Sequence, residues 1–351
     1  MPIKLKRKIF YPVSSGFRAY LKAHGREQSL PVRYEQLLNY ENKYPLLDIQ
    51  QNDTLWECPI YDAQTQEDLN KSLVRTYILL KAGETEMGMA KHLRVDRIDY
   101  CAFGNSCPFR IRVRNQFNDN YDYYYIKRSD ASRIYGLALE HALSPNAMNY
   151  LVNEGTLVEE HIAGIPGDDY IKRYTDHPGL NKVRLAKEFV KFNERCFARL
   201  LGDMRSYNYI VDMTPDFEEM QYRVRAIDFD QQSYEARRSF YQPQFFKDNN
   251  PIVEMCMQSL NQQSMEQYQI EERTLIRRRF YSSSHNLKKL MDNMRNDRLS
   301  TDENFSQLRD ELMDFHNDRK FLRCQTMGDL VLYNLSAVLE DPEILNLNKF
   351  D

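Results

Sequence analysis

With 351 residues, 42% of them hydrophobic and 28% charged, the chain has an ordinary globular composition and enough length for two or three cores. A net charge of -3 excludes a global basic field of the kind that recruits nucleic acid or an anionic membrane. No apolar run approaches a membrane-spanning helix, the basic start MPIKLKRKIF lacks the apolar core of a signal peptide, and the six scattered cysteines read as free thiols; a cytoplasmic protein is expected.

In chain order, residues 1–91 read as mainly helical. FRAYLKAH and VRYEQLLNYENKY carry apolar residues at helical spacing, and TLWECPIYD looks like a short strand. QEDLNKSLVRTYILLKAG predicts an amphipathic helix ending at Gly83. From His92 the texture changes. HLRVDRIDYCAF alternates apolar and polar residues, GNS turns the chain, and PFRIRVRN alternates again. After NDN comes the tyrosine-rich YDYYYIKR, a third strand. SDASRIYGLALEHAL then opens with residues suited to an N-cap and continues as a helix as far as Ser144-Pro145. NYLVNEGTLVEEHIAG reads as two strands about a Glu-Gly turn. The second half is helical: NKVRLAKEFVKFNERCFARLLG stops at Gly202, and three or four more helices follow residue 250.

Two stretches carry chemistry. LLGDMRSYNYIVD, residues 200–212, places Asp203 and Asn208 in a polar loop before a β-like tripeptide. RAIDFDQQ, residues 225–232, ends an apolar strand in Asp228 and Asp230. Asp followed five places later by Asn occurs four times in the chain, and context rather than spacing selects this occurrence: a long helix before it, a strand after it, and a second acidic strand end downstream. A carboxylate beside an amide oxygen and another carboxylate is a donor set that suits magnesium, a hard cation that prefers oxygen and keeps part of its water shell.

Taken in order, these pieces resemble the protein-kinase-like superfamily, closest in texture to its aminoglycoside and choline kinases, over residues 92 to 235. The resemblance implies an α+β fold of two lobes: a small antiparallel-sheet N-lobe at 92–163 and a large helical C-lobe at 164–351, preceded by the mainly helical extension. It implies ATP and Mg2+ as cofactors and a small-molecule hydroxyl as acceptor, with neither nucleic acid nor membrane as partner. Asp203 matches the catalytic-loop aspartate that accepts or orients the hydroxyl proton, and Asn208 and Asp228 match the magnesium ligands. Lys127 matches the strand lysine that meets the α- and β-phosphates, and Glu140 is its expected salt-bridge partner. Gly104, Asn105 and Ser106 would form the phosphate-covering turn, and backbone atoms from Glu160 to Ile162 would meet the adenine. The chain departs from the family at Leu201, where a histidine is usual, at Asp230, where glycine is usual, and in having one glycine rather than three in the covering loop. MTPDFEEMQY also lengthens the interval between Asn208 and Asp228. Two other outcomes keep the same fold: an inactive nucleotide-binding scaffold, or an enzyme that transfers AMP or another group.

Other features receive plainer readings. Seven histidines show no zinc-ligand spacing, and no serine lies in a Gly-x-Ser-x-Gly motif. The basic stretch 273–289 reads as a solvated helix face, GDDYIKRYTD as a solvated loop, Tyr121 to Tyr125 as strand propensity, and Arg133 as a surface residue.

Overall fold

The computed structural model describes residues 8–217 and 219–350, so most of the basic start lies outside it, as does Glu218. The protein is a mixed α and β structure with a seven-stranded antiparallel sheet and a helical part. Two compact units divide the chain. One runs as far as Asp130 and resumes over Met148–His161; the other takes Ala131–Ala147 and continues from Ile162.

The first unit contains helices α1 (Ser15–Ala23), α2 (Tyr34–Leu37) and α3 (Ala63–Ala82). Its strands are β1 (Asn42–Leu47), β2 (Asp53–Ile60), β3 (Leu93–Tyr100), β4 (Phe109–Asn115), β5 (Tyr121–Arg128), β6 (Tyr150–Asn153) and β7 (Thr156–Glu160). They pair antiparallel in the order β1-β2-β3-β4-β5-β7-β6. Alternation decides which face is buried: on β4, Phe109, Ile111 and Val113 enter the core, while Arg110, Arg112 and Arg114 alternate with them and are half-buried. Leu69, Leu73, Leu79 and Leu80 of α3 join those residues with Ile98, Tyr124 and Ile126 in one cluster. Each such side chain contributes on the order of 2 kcal/mol by leaving water. Asp62 caps α3 by accepting from the amides of Gln64 and Thr65, and Gly83 ends it at a φ of 80° that a side chain would disfavour.

The segment 1–91 therefore differs from a separate helical extension. Of VRYEQLLNYENKY only Tyr34–Leu37 is helical, and the chain then extends into β1, which pairs with β2 from Asn42 opposite Ile60. Pro45 explains the change. It removes a helical hydrogen bond, but a strand at a sheet edge tolerates it.

The second unit begins with α4 (Ala131–Leu143), which stops just before Ser144 and Pro145. It then has β8 (Ile165–Pro166), α5 (Gly167–Tyr174), α6 (Lys182–Ala198), β9 (Tyr209–Asp216) and β10 (Glu219–Ala226). Helices α7 (Asn250–Ser259), α8 (Gln262–Ser282), α9 (Ser284–Asn296), α10 (Asp302–His316) and α11 (Met327–Val338) complete it. β8, β9 and β10 form a small antiparallel sheet, and the interval MTPDFEEMQY lies in the β9–β10 hairpin. Helix α6 is capped by the Asn181 side chain, which accepts from the Arg184 amide. It ends at Ala198 instead of reaching Gly202, because Leu200 turns left-handed at a φ of 55° and the Leu201 amide returns to the Cys196 carbonyl. Among the described residues no helix is long and apolar enough to cross a membrane.

Candidate functional site

The turn after α6 builds the loop that carries Asp203. Leu201 is fully buried and forms an isolated bridge with Gln232, and the Gly202 amide donates to the Gln231 carbonyl at 3.1 Å. Leucine in place of a histidine thus fills core at this point. The Asp203 amide donates to Phe240 O at 3.0 Å, and Asp203 itself sits at a φ of 59°. A non-glycine residue held there costs of order 1 kcal/mol and persists only where its surroundings fix it. Here the Arg205 amide donates to the Asp203 carbonyl at 2.8 Å, and the Asn208 amide group donates to the same carbonyl at 2.7 Å. With its nitrogen committed to that bond, Asn208 has Oδ1 as its ligand-capable atom.

Asp203 is the electrostatic outlier of the loop. Burial raises its carboxyl from 3.8 to about 6; Arg205 opposes the rise, whereas the nearby negative charges of Asp228 and Glu235 add to it. Arg205 Nε donates to Asp203 Oδ1 at 3.0 Å. A carboxylate in this range is ionised at neutral pH and is basic enough to hold a proton transiently, which suits a general base or an orienter of a hydroxyl.

Asp228 follows the last residues of β10, and the Ile227 amide is tied to Asn208 O at 3.0 Å. The base of the β9–β10 hairpin therefore brings Asn208 and Asp228 together, with Asp203 one turn upstream. Asp228 Oδ1 accepts from Arg133 Nη1 at 2.7 Å and from the Asp230 amide at 3.0 Å, leaving Oδ2 on a side chain that is 33% exposed. Arg133 Nη1 also meets Asp230 Oδ1 at 2.8 Å.

Arg133 corrects the sequence reading: it is fully buried. Helix α4 is buried on nearly every side, so its arginine has no route to solvent and must meet acidic partners. Ser132 Oγ donates to Gln232 O at 2.6 Å, and a Cβ on Gly136 would lie 3.0 Å from Phe229 Cβ and 3.2 Å from Gln232 Cβ. The first turns of α4 thus clasp the 228–232 segment. The signal was present in the sequence as an arginine among the apolar and small residues that open the helix, Ala131 to Ala138.

The remaining predicted residues separate by unit. Lys127 is buried on β5 and pairs with Glu159 of β7 at 2.7 Å. Glu140 on α4 pairs with Arg199, which lies just past α6. The salt bridge expected between Lys127 and Glu140 is thus replaced by two others. Register explains the first: Tyr125 lies opposite Glu159 and Lys127 opposite Leu157, so lysine and glutamate share one face of adjacent strands. Arg199 is buried enough that its guanidinium falls to about 9, which makes a carboxylate partner necessary.

Gly104, Asn105 and Ser106 sit between β3 and β4 in a tight turn closed by the Cys107 amide on Gly104 O at 3.2 Å. Ser106 is buried, and the Tyr34 hydroxyl donates to Cys107 O at 2.9 Å, so the turn is pinned rather than open. Glu160 ends β7; its amide is used by Asn149 O at 3.0 Å, and its carboxylate accepts from the Asn149 amide at 2.5 Å. Ile162 is buried and opens the second unit's long segment. Of the predicted set, Asp203, Asn208 and Asp228 come together in one loop-and-hairpin base, whereas Lys127, Gly104, Asn105, Ser106 and Glu160 belong to the sheet unit.

Among the described residues no group of three or more His, Cys, Asp or Glu side chains is arranged to hold a metal. The donor set at the hairpin base, Asn208 Oδ1 and Asp228 Oδ2, fits an ion that takes one or two protein oxygens and completes its shell with phosphates and water. No known protein-family model matches the chain, and no curated protein matches it in sequence.

Proposed function

We propose that this chain is an ATP- and magnesium-dependent phosphotransferase of the protein-kinase-like two-lobed kind, acting on a hydroxyl of a small molecule. The observation that carries the reading is the grouping of Asp203, Asn208 and Asp228 at one hairpin base, with Asp203 raised to about 6. Asp203 would orient the acceptor hydroxyl and take up its proton, since its left-handed backbone and the Arg205 contact fix where the carboxylate can lie. Asn208 and Asp228 would hold magnesium, which when bound neutralises charge on the phosphates. Lys127, the phosphate-contacting lysine that the resemblance implies, is paired with Glu159 in the sheet unit.

Asp203→Ala is expected to abolish turnover in an ATP-consumption assay while leaving nucleotide binding nearly intact. Asp228→Ala is expected to weaken magnesium-dependent nucleotide binding. Full turnover in both variants would sink the reading.

One observation favours a second reading, a nucleotide-binding scaffold without transfer. Arg133 already neutralises part of Asp228, and a cation bound there would meet a neighbouring positive charge. A thermal shift with ATP and magnesium but no ATP consumption would select the scaffold.

A further inference from the structure

Two acidic residues, Asp228 and Asp230, flank Phe229, and the buried guanidinium of Arg133 touches both, with Nη1 at 2.7 Å from one and 2.8 Å from the other. We infer that Arg133 is a tethered cation standing where a second divalent ion would otherwise bridge these carboxylates, so that the site takes one metal ion per nucleotide and not two. The inference rests on the phosphotransferase reading and specifies the metal content of that same site.

Three observations support it. First, Nη1 lies nearly equidistant from one oxygen of each carboxylate, so a positive charge already stands between the two. Second, Asp228 Oδ1 is saturated by Arg133 and the Asp230 amide, so only Oδ2 remains to a mobile ion, enough for one metal shared with Asn208 Oδ1. Third, the guanidinium cannot withdraw. Arg133 is fully buried, Ser132 is bonded to the backbone of the 228–232 segment, and Gly136 lies against Phe229 and Gln232 with no room to spare. The guanidinium is covalently tied to α4 and held between two carboxylates, so this cation stays in place where a bound ion would exchange. Arg133 is a positioning residue: it acts through Asp228 and Asp230, aiming Asp228 Oδ2 and setting how many ions the site accepts.

The test counts ions. The full chain is titrated with Mn2+ in the presence of a nonhydrolysable ATP analogue, and free Mn2+ is followed by electron paramagnetic resonance. One bound ion per chain is expected in the wild type, and two would overturn the inference whether or not any variant folds. Arg133→Gln keeps an N–H donor on a shorter, uncharged side chain, and is expected to raise the count from one to two. A folded Arg133→Gln protein, judged by circular dichroism, that still binds one ion overturns the role given to Arg133. Arg133→Lys, which keeps the charge, should restore a count of one; a merely structural role would move stability in these variants but not the count. No bound Mn2+ at any nucleotide concentration overturns the phosphotransferase reading itself, and this inference with it.

Discussion

Replacing Asp203 with asparagine should make the protein more stable at neutral pH, even as it removes the residue assigned to the chemistry. The Asp203 carboxyl is raised from 3.8 to about 6, mainly by burial. An acid whose folded-state value lies above its unfolded one favours the folded state only while protonated. The penalty is therefore absent below 3.8, grows through the window up to about 6, and is complete above it. A difference of about two pH units at roughly 1.4 kcal/mol each sets an upper value of about 3 kcal/mol. The side chain is 24% exposed, so solvent reduces that figure, and a gain of about 1–3 kcal/mol is expected at neutral pH. Urea denaturation of wild type and Asp203→Asn at about pH 7.5 and about pH 4 measures it, because the gain should vanish at the lower pH. Equal stability of the two proteins at the higher pH, or the same gap at both, would refute the argument that burial without full compensation tunes this carboxyl.

Glu159→Gln leaves the buried Lys127 ammonium without its partner and should cost about 3 kcal/mol in chemical denaturation, with weaker nucleotide binding alongside. Glu140→Gln should cost a similar amount, about 3 kcal/mol, by stranding Arg199; because Glu140 pairs with Arg199, nucleotide affinity by thermal shift should be unchanged, and a large loss of affinity would restore the role expected from the family resemblance. Gly167→Ala places a Cβ 2.5 Å from Ser206 O and 2.7 Å from Tyr209 Cζ. It should lower the melting temperature by an amount corresponding to about 1–3 kcal/mol, and an unchanged temperature would mean that α5 can move away.

Much of this architecture was legible from local patterning. The run of three strands, a helix and two strands from Leu93 to Glu160 follows from alternation and from the Ser144-Pro145 stop, both of which act within a few residues. The same holds for α3 and its Gly83 end. What patterning missed is long-range. Residues 42–44 read as helix because tyrosine and leucine recur at a compatible spacing in the segment before them, but β1 exists because β2 lies beside it. The site divides in the same way. The grouping of Asp203, Asn208 and Asp228 was legible because loop and strand-end context is local. Glu159 as the partner of Lys127 depends on strand register across the β5–β7 pair, and Arg199 as the partner of Glu140 depends on helix placement. Arg133 was misread by its type alone, since arginine is rarely buried without acidic partners, and those partners lie far along the chain.

The β9–β10 hairpin pairs without interruption from Tyr209 opposite Ala226 to Asp216 opposite Glu219, and its open end holds Asn208 against Ile227. Such a ladder behaves as a zip with a fixed slider. Residues inserted at the closed tip in matched pairs, one per strand, would lengthen the protrusion and leave the oxygen atoms at the other end where they are. A single unmatched residue that slipped the ladder would turn alternate side chains over and carry Asp228 away from Asn208. The interval between these two residues in a chain of this kind can therefore vary widely, and what has to be preserved is its parity.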